Sequence, residues 1–125
     1  MFQERVPSDV VKAVFHYLGE NTRFSANVPK IHETFFNISQ NSDFKGLCRD
    51  FVFDTSMVFP YCATIGYALD RLQKADLLAC RNPGLDEYEV SKSLADEKEV
   101  EELFDDNERD LLKRAADMFQ TQISG

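Results

Sequence analysis

Hydrophobic residues recur at helical spacing in two stretches of the first 40 residues. In the first stretch, Ser8 or Asp9 is placed to cap a helix, and Gly19 offers a stop. In the second, Asn27 is placed as the cap and Pro29 lies in the first turn, where its missing N–H is harmless. The segment NTRFSA between them is either a small edge strand or a connector. The predicted inward-facing residues are Val10, Val11, Val14, Phe15 and Leu18 in the first helix, and Ile31, Phe35, Phe36 and Ile38 in the second.

A third helical pattern runs from Tyr61 to about Ala75 and leads into a predicted β-hairpin. Pro60 disfavours helix at the residue before it, so the helix begins after this proline. The Pro83-Gly84 pair is strong turn chemistry, because proline sets the first corner and glycine accepts positive φ at the second. The alternating segment EYEV, residues 87 to 90, predicts the second arm. The inward-facing residues of the helix are predicted to be Ile65, Ala68 or Leu69, Leu72 and Ala75.

Residues 43 to 59 follow no single period. The apolar triplet FVF is either a strand or the end of a short helix, because short apolar runs are compatible with both. We expect Leu47, Phe51 and Val58 to be buried.

The C-terminal residues show two acidic helical patterns, which residues 105 to 107 either break or leave continuous. One apolar stripe runs along both helical patterns, and its width is typical of a helix that packs against another protein surface. It packs either on the chain's own domain or on a second copy or another protein. The stripe consists of Val100, Phe104, Leu111, Ala115 and Met118.

The order helix, short extended piece, helix, helix, strand, turn, strand over residues 8 to 91 resembles the winged-helix superfamily in topology. That resemblance implies a third helix that enters the DNA major groove and a wing that touches the backbone or minor groove. The chain departs from it between Gln40 and Pro60, where about 20 residues replace the usual tight turn. Either an insertion fills this gap or the second helix of the motif is residues 43 to 53. We expect a mainly α fold with a small β-hairpin: a winged-helix-like domain in residues 1 to 91, and an acidic helical extension in residues 92 to 125, packed on the core or at a dimer interface.

The formal charge of −8 weakens the case for nucleic acid. Residues 1 to 91 contain 9 Lys and Arg against 12 Asp and Glu, and residues 92 to 125 contain 5 against 10. Non-specific affinity for nucleic acid comes mainly from cations that neutralise phosphates, so an acidic balance favours a protein partner.

One face of the third helix and the tip of the hairpin carry the candidate contacts for a protein partner or for DNA. Hydroxyl, phenol and cationic groups recur there at helical spacing, opposite the apolar stripe. The alternative is that this face of the helix is an ordinary solvent-exposed surface, on which the negative charges of Asp70 and Asp76 reduce the positive potential of the cations. The candidates are Thr64, Tyr67, Arg71, Lys74, Arg81 and Asn82.

The sequence contains no recognisable catalytic constellation. His16 and His32 are the only histidines, and no HxxxH, HExxH, CxxC or glycine-rich phosphate motif is present. Cysteines 48, 62 and 80 follow neither a disulfide nor a zinc pattern, which favours buried reduced thiols. No apolar run has the length of a membrane span and no signal segment is apparent, so we expect a cytoplasmic protein. We predict no enzyme activity, cofactor, metal site or small-molecule substrate.

Two functions follow from these patterns. The first is a non-catalytic winged-helix interaction module, an adaptor or a subunit of a larger bacterial-type assembly, with a protein partner or as a homodimer. The second is a dimeric DNA-binding transcriptional regulator that uses the helix 61 to 75 and the wing 81 to 87.

Overall fold

The computed structural model describes residues 5 to 81 and 86 to 124, with the backbone alone for Arg81. The helices are α1 (Ser8–Leu18), α2 (Val28–Gln40), α3 (Ala63–Lys74), α4 (Lys92–Ala95), α5 (Lys98–Glu102) and α6 (Asp106–Ser124), and a 3-10 turn, Ser42–Phe44, follows α2. The strands are β1 (Arg23–Ser25), β2 (Leu78–Arg81) and β3 (Glu87–Val90). The predicted mainly α fold with a small β-hairpin is confirmed.

The three strands form one antiparallel sheet in the order β1-β3-β2. Tyr88 in the central strand pairs with Phe24 of β1 and with Cys80 of β2. Tyr88 and Val90 are buried while the two glutamates of β3 stay half-exposed, which is the alternation that a strand with one wet face requires. Of the two alternatives for NTRFSA, the edge strand is the one observed. The predicted Pro83-Gly84 turn lies outside the described residues.

Four phenylalanines from four elements meet in the core. The ring centroid of Phe119 in α6 lies 5.5 Å from Phe15 of α1, 5.1 Å from Phe24 of β1 and 5.2 Å from Phe35 of α2. These separations fall in the range in which aromatic pairs attract one another. Residues on both sides of position 91 therefore share one hydrophobic core.

The two ends of α1 differ in how they form. Gly19 ends the helix with φ of +94°, a conformation that glycine adopts without steric cost. At the other end, the prediction that Ser8 or Asp9 caps the helix is wrong, because Pro7 occupies the capping position and no side chain caps. The carboxylate of Asp9 instead accepts a hydrogen bond from the N–H of Val6 at 2.8 Å, which fixes the segment just before the helix.

Asn27 caps helix α2, as predicted. The side-chain oxygen of Asn27 accepts a hydrogen bond from the N–H of Lys30 at 3.2 Å. Replacing Asn27 by alanine should lower the free energy of unfolding by about 1 kcal/mol, because that N–H loses its acceptor. Urea unfolding followed by circular dichroism measures the effect. Replacing Glu33 by alanine, at an exposed position further along α2, serves as the matched control and should change the stability by less than about 0.5 kcal/mol.

The connection between α2 and α3 contains a closed loop. The N–H of Asp54 donates to the carbonyl of Tyr61 at 2.7 Å, and the N–H of Tyr61 donates to the carbonyl of Asp54 at 3.1 Å. Leu47 and Phe51 are buried as predicted, and the FVF triplet is neither helix nor strand. The prediction that Val58 is buried is wrong: this valine is fully exposed, at 104%, because the Asp54–Tyr61 closure places it in the loop.

Helix α3 is shorter than the predicted range 61 to 75. Its inner face is buried as predicted through Ile65, Leu69 and Leu72. The prediction for Ala75 is wrong, because the helix ends at Lys74 and Ala75 is an exposed residue of the turn into β2.

Residues 103 to 105 separate α5 from α6, so the break is the observed alternative. The side chain of Asp105 accepts from the N–H of Glu108 at 2.8 Å, and the side chain of Glu108 accepts from the N–H of Asp105 at 3.1 Å. This reciprocal pair satisfies two N–H groups at the helix start.

The guanidinium of Arg5 also donates a hydrogen bond to the carboxylate of Glu108 at 2.8 Å. Together with the backbone N–H of Asp105, it holds the pKa of the Glu108 carboxyl below its ordinary value.

Candidate functional site

The outer face of α3 carries four of the six residues predicted to meet a partner. Tyr67 is 55% exposed, Arg71 and Lys74 are exposed, and Thr64 is half-buried. They lie together because residues three and four apart share one face of a helix. The remaining two candidates lie outside the described part of the chain: Asn82 and the side chain of Arg81.

A groove separates this face from the segment that begins α1. It consists of two adjoining hollows of about 240 and 350 Å³, both lined by Val6, Ser8 and Tyr67. Thr64 lines the second hollow and Arg71 the first. Of the predicted contact residues, the groove therefore brings together Thr64, Tyr67 and Arg71. The apolar side chains of the first hollow are Val6, Tyr67, Ala68, Leu72, Ala75 and Leu77.

The cations near the groove differ in their partners. Lys12 lies 2.7 Å from the carboxylate of Glu97, and Lys74 lies 3.0 Å from the carboxylate four residues before it. Arg71 instead places its guanidinium 5.6 Å from the ring centroid of Tyr67. Among the described residues, no carboxylate lies within ion-pair distance of Arg71. The carboxylate of Asp9 lines the same hollow as Arg71 and accepts the N–H of Val6.

The groove combines two kinds of recognition. Its apolar floor can take a hydrophobic side chain, and a guanidinium can bind a carboxylate through two parallel hydrogen bonds. A guanidinium is planar and weakly hydrated, and it is attracted to the face of an aromatic ring such as that of Tyr67. The arrangement is suited to binding a hydrophobic side chain next to a carboxylate.

The predicted C-terminal stripe lies against the chain's own core. Val100, Phe104 and Ala115 are each 3% exposed, and Leu111 and Met118 are half-buried and packed against the same core. This is the first of the two alternatives for the stripe.

His16 is a buried link between three helices. Its Nδ1 lies 2.7 Å from the carbonyl oxygen of Leu94 at α4, and its Nε2 lies 3.0 Å from the carboxylate of Glu101 in α5. Both ring nitrogens are thus engaged within the fold. His16 stabilises the placement of α4 and α5 on α1.

His32 joins α2 to the start of α3. Its Nδ1 accepts a hydrogen bond from the N–H of Cys62 at 3.0 Å, so the neutral ring carries its proton on Nε2. The ring stacks on Tyr61 with centroids 4.9 Å apart and planes at 20°. Within the described residues Nε2 makes no hydrogen bond. Burial lowers the pKa of His32, because the charged ring would lose its hydration.

This lowered pKa predicts a loss of stability on acidification. The unfolded chain binds a proton at His32 near the ordinary pKa of about 6.5, whereas the folded chain binds it only at lower pH. Stability is therefore fully present above about pH 6.5 and falls as the pH drops towards the folded pKa, by at most about 1.4 kcal/mol per pH unit for one proton. Urea unfolding at a series of pH values tests this. The difference between wild type and His32→Asn isolates the effect of His32, and identical pH slopes in the two proteins would contradict it.

Sequence reasoning did not find the α1 side of the groove. Val6 precedes the helical pattern and carries no motif, so nothing in the sequence signals that it faces Tyr67. Contact between α1 and α3 is a tertiary property, which local periodicity does not report.

The thiol of Cys48 is buried. Burial, with a smaller effect of Cys62, raises the pKa of this thiol to about 11, which keeps it protonated at neutral pH.

Over residues 5 to 81 and 86 to 124, no three His, Cys, Asp or Glu side chains group as metal ligands. Within the same residues, no helix combines the length and apolar character of a membrane span. No protein-family model, curated protein or solved structure matches the chain.

Proposed function

We propose that this chain is a non-catalytic protein-interaction module with a winged-helix-like core, an adaptor or subunit of a larger bacterial-type assembly in the cytoplasm. The observation that carries this proposal is the groove between α1 and α3. It presents a half-exposed tyrosine, Tyr67, and a guanidinium, Arg71, that lacks a carboxylate partner among the described residues.

The order of elements supports the winged-helix-like part of the proposal. A short strand after α1 forms the edge of the sheet that the β2–β3 hairpin completes, and α3 leads directly into that hairpin. The 3-10 turn and the closed loop between α2 and α3 fill the place where the superfamily has a tight turn.

The composition of the groove supports a protein partner. Tyrosine and arginine are over-represented among residues that dominate protein–protein binding, especially where they border a pocket that excludes water. The exposed guanidinium predicts a carboxylate in the partner segment, and the apolar floor predicts a hydrophobic side chain next to it.

DNA binding by a dimeric regulator, through α3 and the hairpin, is the second candidate. The exposed outer face of α3 favours it, because a reading helix must be free to enter the major groove. The charges favour it less. Lys12 and Lys74 are paired with carboxylates, and β3 adds Glu87 and Glu89, whereas tight DNA binding needs several cations on phosphates.

We expect the groove variants Tyr67→Ala and Arg71→Glu to weaken partner binding by about 30-fold or more each, the effect of losing a dominant contact residue. A protein enriched from source-cell extract by the wild-type chain would first be purified, and its affinity for each variant then measured by calorimetry. Lys45→Glu is the matched control, because it changes an exposed cation outside the groove by the same charge.

The same proteins titrated with a mixed-sequence DNA duplex separate the two candidates. The proposal expects no binding that depends steeply on salt. DNA binding that Arg71→Glu abolishes and that falls steeply with salt would replace the protein-interaction proposal by the DNA-binding one.

A further inference from the structure

His32 is fully buried where three parts of the chain meet. It belongs to α2, and its ring stacks on Tyr61 at the end of the closed loop, residues 54 to 61. Its Nδ1 accepts the hydrogen bond from the N–H of Cys62, the residue that precedes α3. The ring of Phe59, within the loop, lies 5.5 Å from the imidazole. One titratable side chain therefore contacts both the closed loop and the start of α3.

The first turn of α3 depends on these contacts. Among the residues that the structure describes, no side chain caps this helix. The carbonyl of Cys62 accepts from the N–H of Ile65 at 3.1 Å and of Gly66 at 3.3 Å. Glycine is a poor helix former, so the turn gains little stability from its own sequence. The hydroxyl of Tyr61 borders Gly66, since a Cβ added at this glycine would lie 3.5 Å from it. Cys62 and Tyr61 thus link the first turn to His32.

A proton added to His32 reverses the contact with Cys62. In the neutral ring Nδ1 is an acceptor, whereas in the charged ring both nitrogens are donors. The new N–H at Nδ1 would face the backbone N–H of Cys62, which can only donate. Within the described residues Nε2 makes no hydrogen bond, so the charged ring has no acceptor at that side either. A buried charge without a partner is costly, and opening that admits water to the ring removes the cost.

The neighbouring titratable groups keep their charge when the pH falls moderately. Tyr61 and Cys62 contact the imidazole from the loop and from the start of α3, and phenols and thiols carry no charge in acid. Burial raises the pKa of the nearby Cys48 thiol to about 11, so this thiol also stays neutral. Hydrogen bonds from the hydroxyl and N–H of Ser56 hold the pKa of Asp54, which closes the loop, below its ordinary value. This carboxylate therefore stays charged down to about pH 5. Among these groups, only the imidazole changes its charge.

We propose that His32 is a pH-sensitive switch whose protonation opens the closed loop and the first turn of α3, and whose deprotonation closes them. Ala63, Thr64 and Tyr67 of α3 line the second hollow of the groove, so opening alters one wall of the groove. Only an effect on partner binding rests on the proposed function of the groove.

The direction of the switch follows from burial, which lowers the pKa of His32. An opened chain binds the proton near the ordinary pKa of about 6.5, whereas the closed chain binds it only at lower pH. The loop and the turn are therefore fully closed above about pH 6.5, and they open progressively as the pH falls towards the folded pKa.

Hydrogen exchange followed by NMR tests the switch in the full chain between about pH 5 and pH 7.5. Each exchange rate is compared with that of an unstructured peptide at the same pH, which gives a protection factor. Protection at the amides of Tyr61, Cys62 and Gly66 should fall below about pH 6.5, by up to about tenfold per pH unit. The amide of Phe119 in the core should stay better protected than these three at every pH, because the loop and the turn open without unfolding of the core.

His32→Asn is the matched variant, since its side-chain oxygen can accept from Cys62 and its amide does not titrate. Protection at Tyr61, Cys62 and Gly66 should not change with pH in this variant. The ring nitrogens of His32 in the wild type give a second measurement, which does not depend on the stability of a variant. Nδ1 should gain its proton over the same pH range in which the amide of Cys62 loses protection.

Three results would overturn the switch. The first is an equal fall in protection in His32→Asn and the wild type. The second is a loop that is as well protected as Phe119 at every pH, which would mean that it opens only when the whole chain unfolds. The third is proton uptake at Nδ1 while the amide of Cys62 stays protected. Failure of the groove proposal has a different signature, namely partner affinity that Tyr67→Ala and Arg71→Glu leave unchanged.

Discussion

Replacing Phe119 by alanine should lower the free energy of unfolding by about 3–5 kcal/mol, a large share of the stability of a small domain. The ring is fully buried and touches phenylalanines of α1, β1 and α2 at centroid distances between 5.1 and 5.5 Å. Alanine would leave a cavity where three separate elements meet, and the rigid aromatic neighbours cannot close it completely.

Urea unfolding at neutral pH measures this loss, with Gln120→Ala as control. Gln120 is the next residue of α6 and is exposed, so its replacement should change the stability by less than about 0.5 kcal/mol. A decrease in the free energy of unfolding below about 1 kcal/mol for Phe119→Ala would mean that α6 is not part of the hydrophobic core formed by the preceding helices and strands.

Replacing His32 by leucine should lower the free energy of unfolding by about 2–3 kcal/mol. The leucine has no acceptor for the N–H of Cys62, which would be left buried without a partner. The stacking of the imidazole on Tyr61 is lost as well. Both contacts lie where the closed loop enters α3, so the change should also loosen the loop.

His32→Asn is the informative companion variant. Its side-chain oxygen can approach the position of Nδ1 and accept from Cys62, so it should recover part of the stability lost in His32→Leu. Hydrogen exchange at the amide of Cys62 reports this directly: fast in His32→Leu, and slower in His32→Asn and the wild type. Equal stability of the two variants would show that the hydrogen bond to Cys62 contributes little.

Local pattern was sufficient to predict helices α1, α2 and α3 and the β2–β3 hairpin. Each of these helices runs for 11 residues or more and buries a single face, which is the condition under which helical periodicity is informative. The cap at Asn27 and the stop at Gly19 were also predictable, because each depends on a single residue and its immediate neighbours.

The loop between α2 and α3 was not predictable in this way. Val58 lies in an apolar run that reads as buried, and its exposure results from the pairing of Asp54 with Tyr61 and from the anchoring of Phe59 against His32. Both contacts join residues that local pattern does not connect. The prediction for Ala75 failed for a smaller reason, since the helix ended one residue earlier than expected, within the usual uncertainty of a helix boundary.

The candidate site was predictable on one side only. Helical spacing placed Thr64, Tyr67 and Arg71 on one face of α3. The opposite wall, with Val6 in front of α1, depends on how two helices distant in sequence pack together. Tertiary contacts also decide which cations are paired with a carboxylate. Lys12 of α1 pairs with Glu97 at the start of α5, whereas Arg71 lies next to the aromatic ring of Tyr67.

The most direct test of the account is photo-crosslinking from position 67, with a photoreactive phenylalanine analogue in place of Tyr67 and the same analogue at Gln120 as control. In source-cell extract, we predict a crosslinked polypeptide from position 67 that is absent from position 120 and is lost when Arg71→Glu is added. An adduct with nucleic acid from position 67, or the same polypeptide from both positions, would contradict the claim that the groove between α1 and α3 is a protein-binding site.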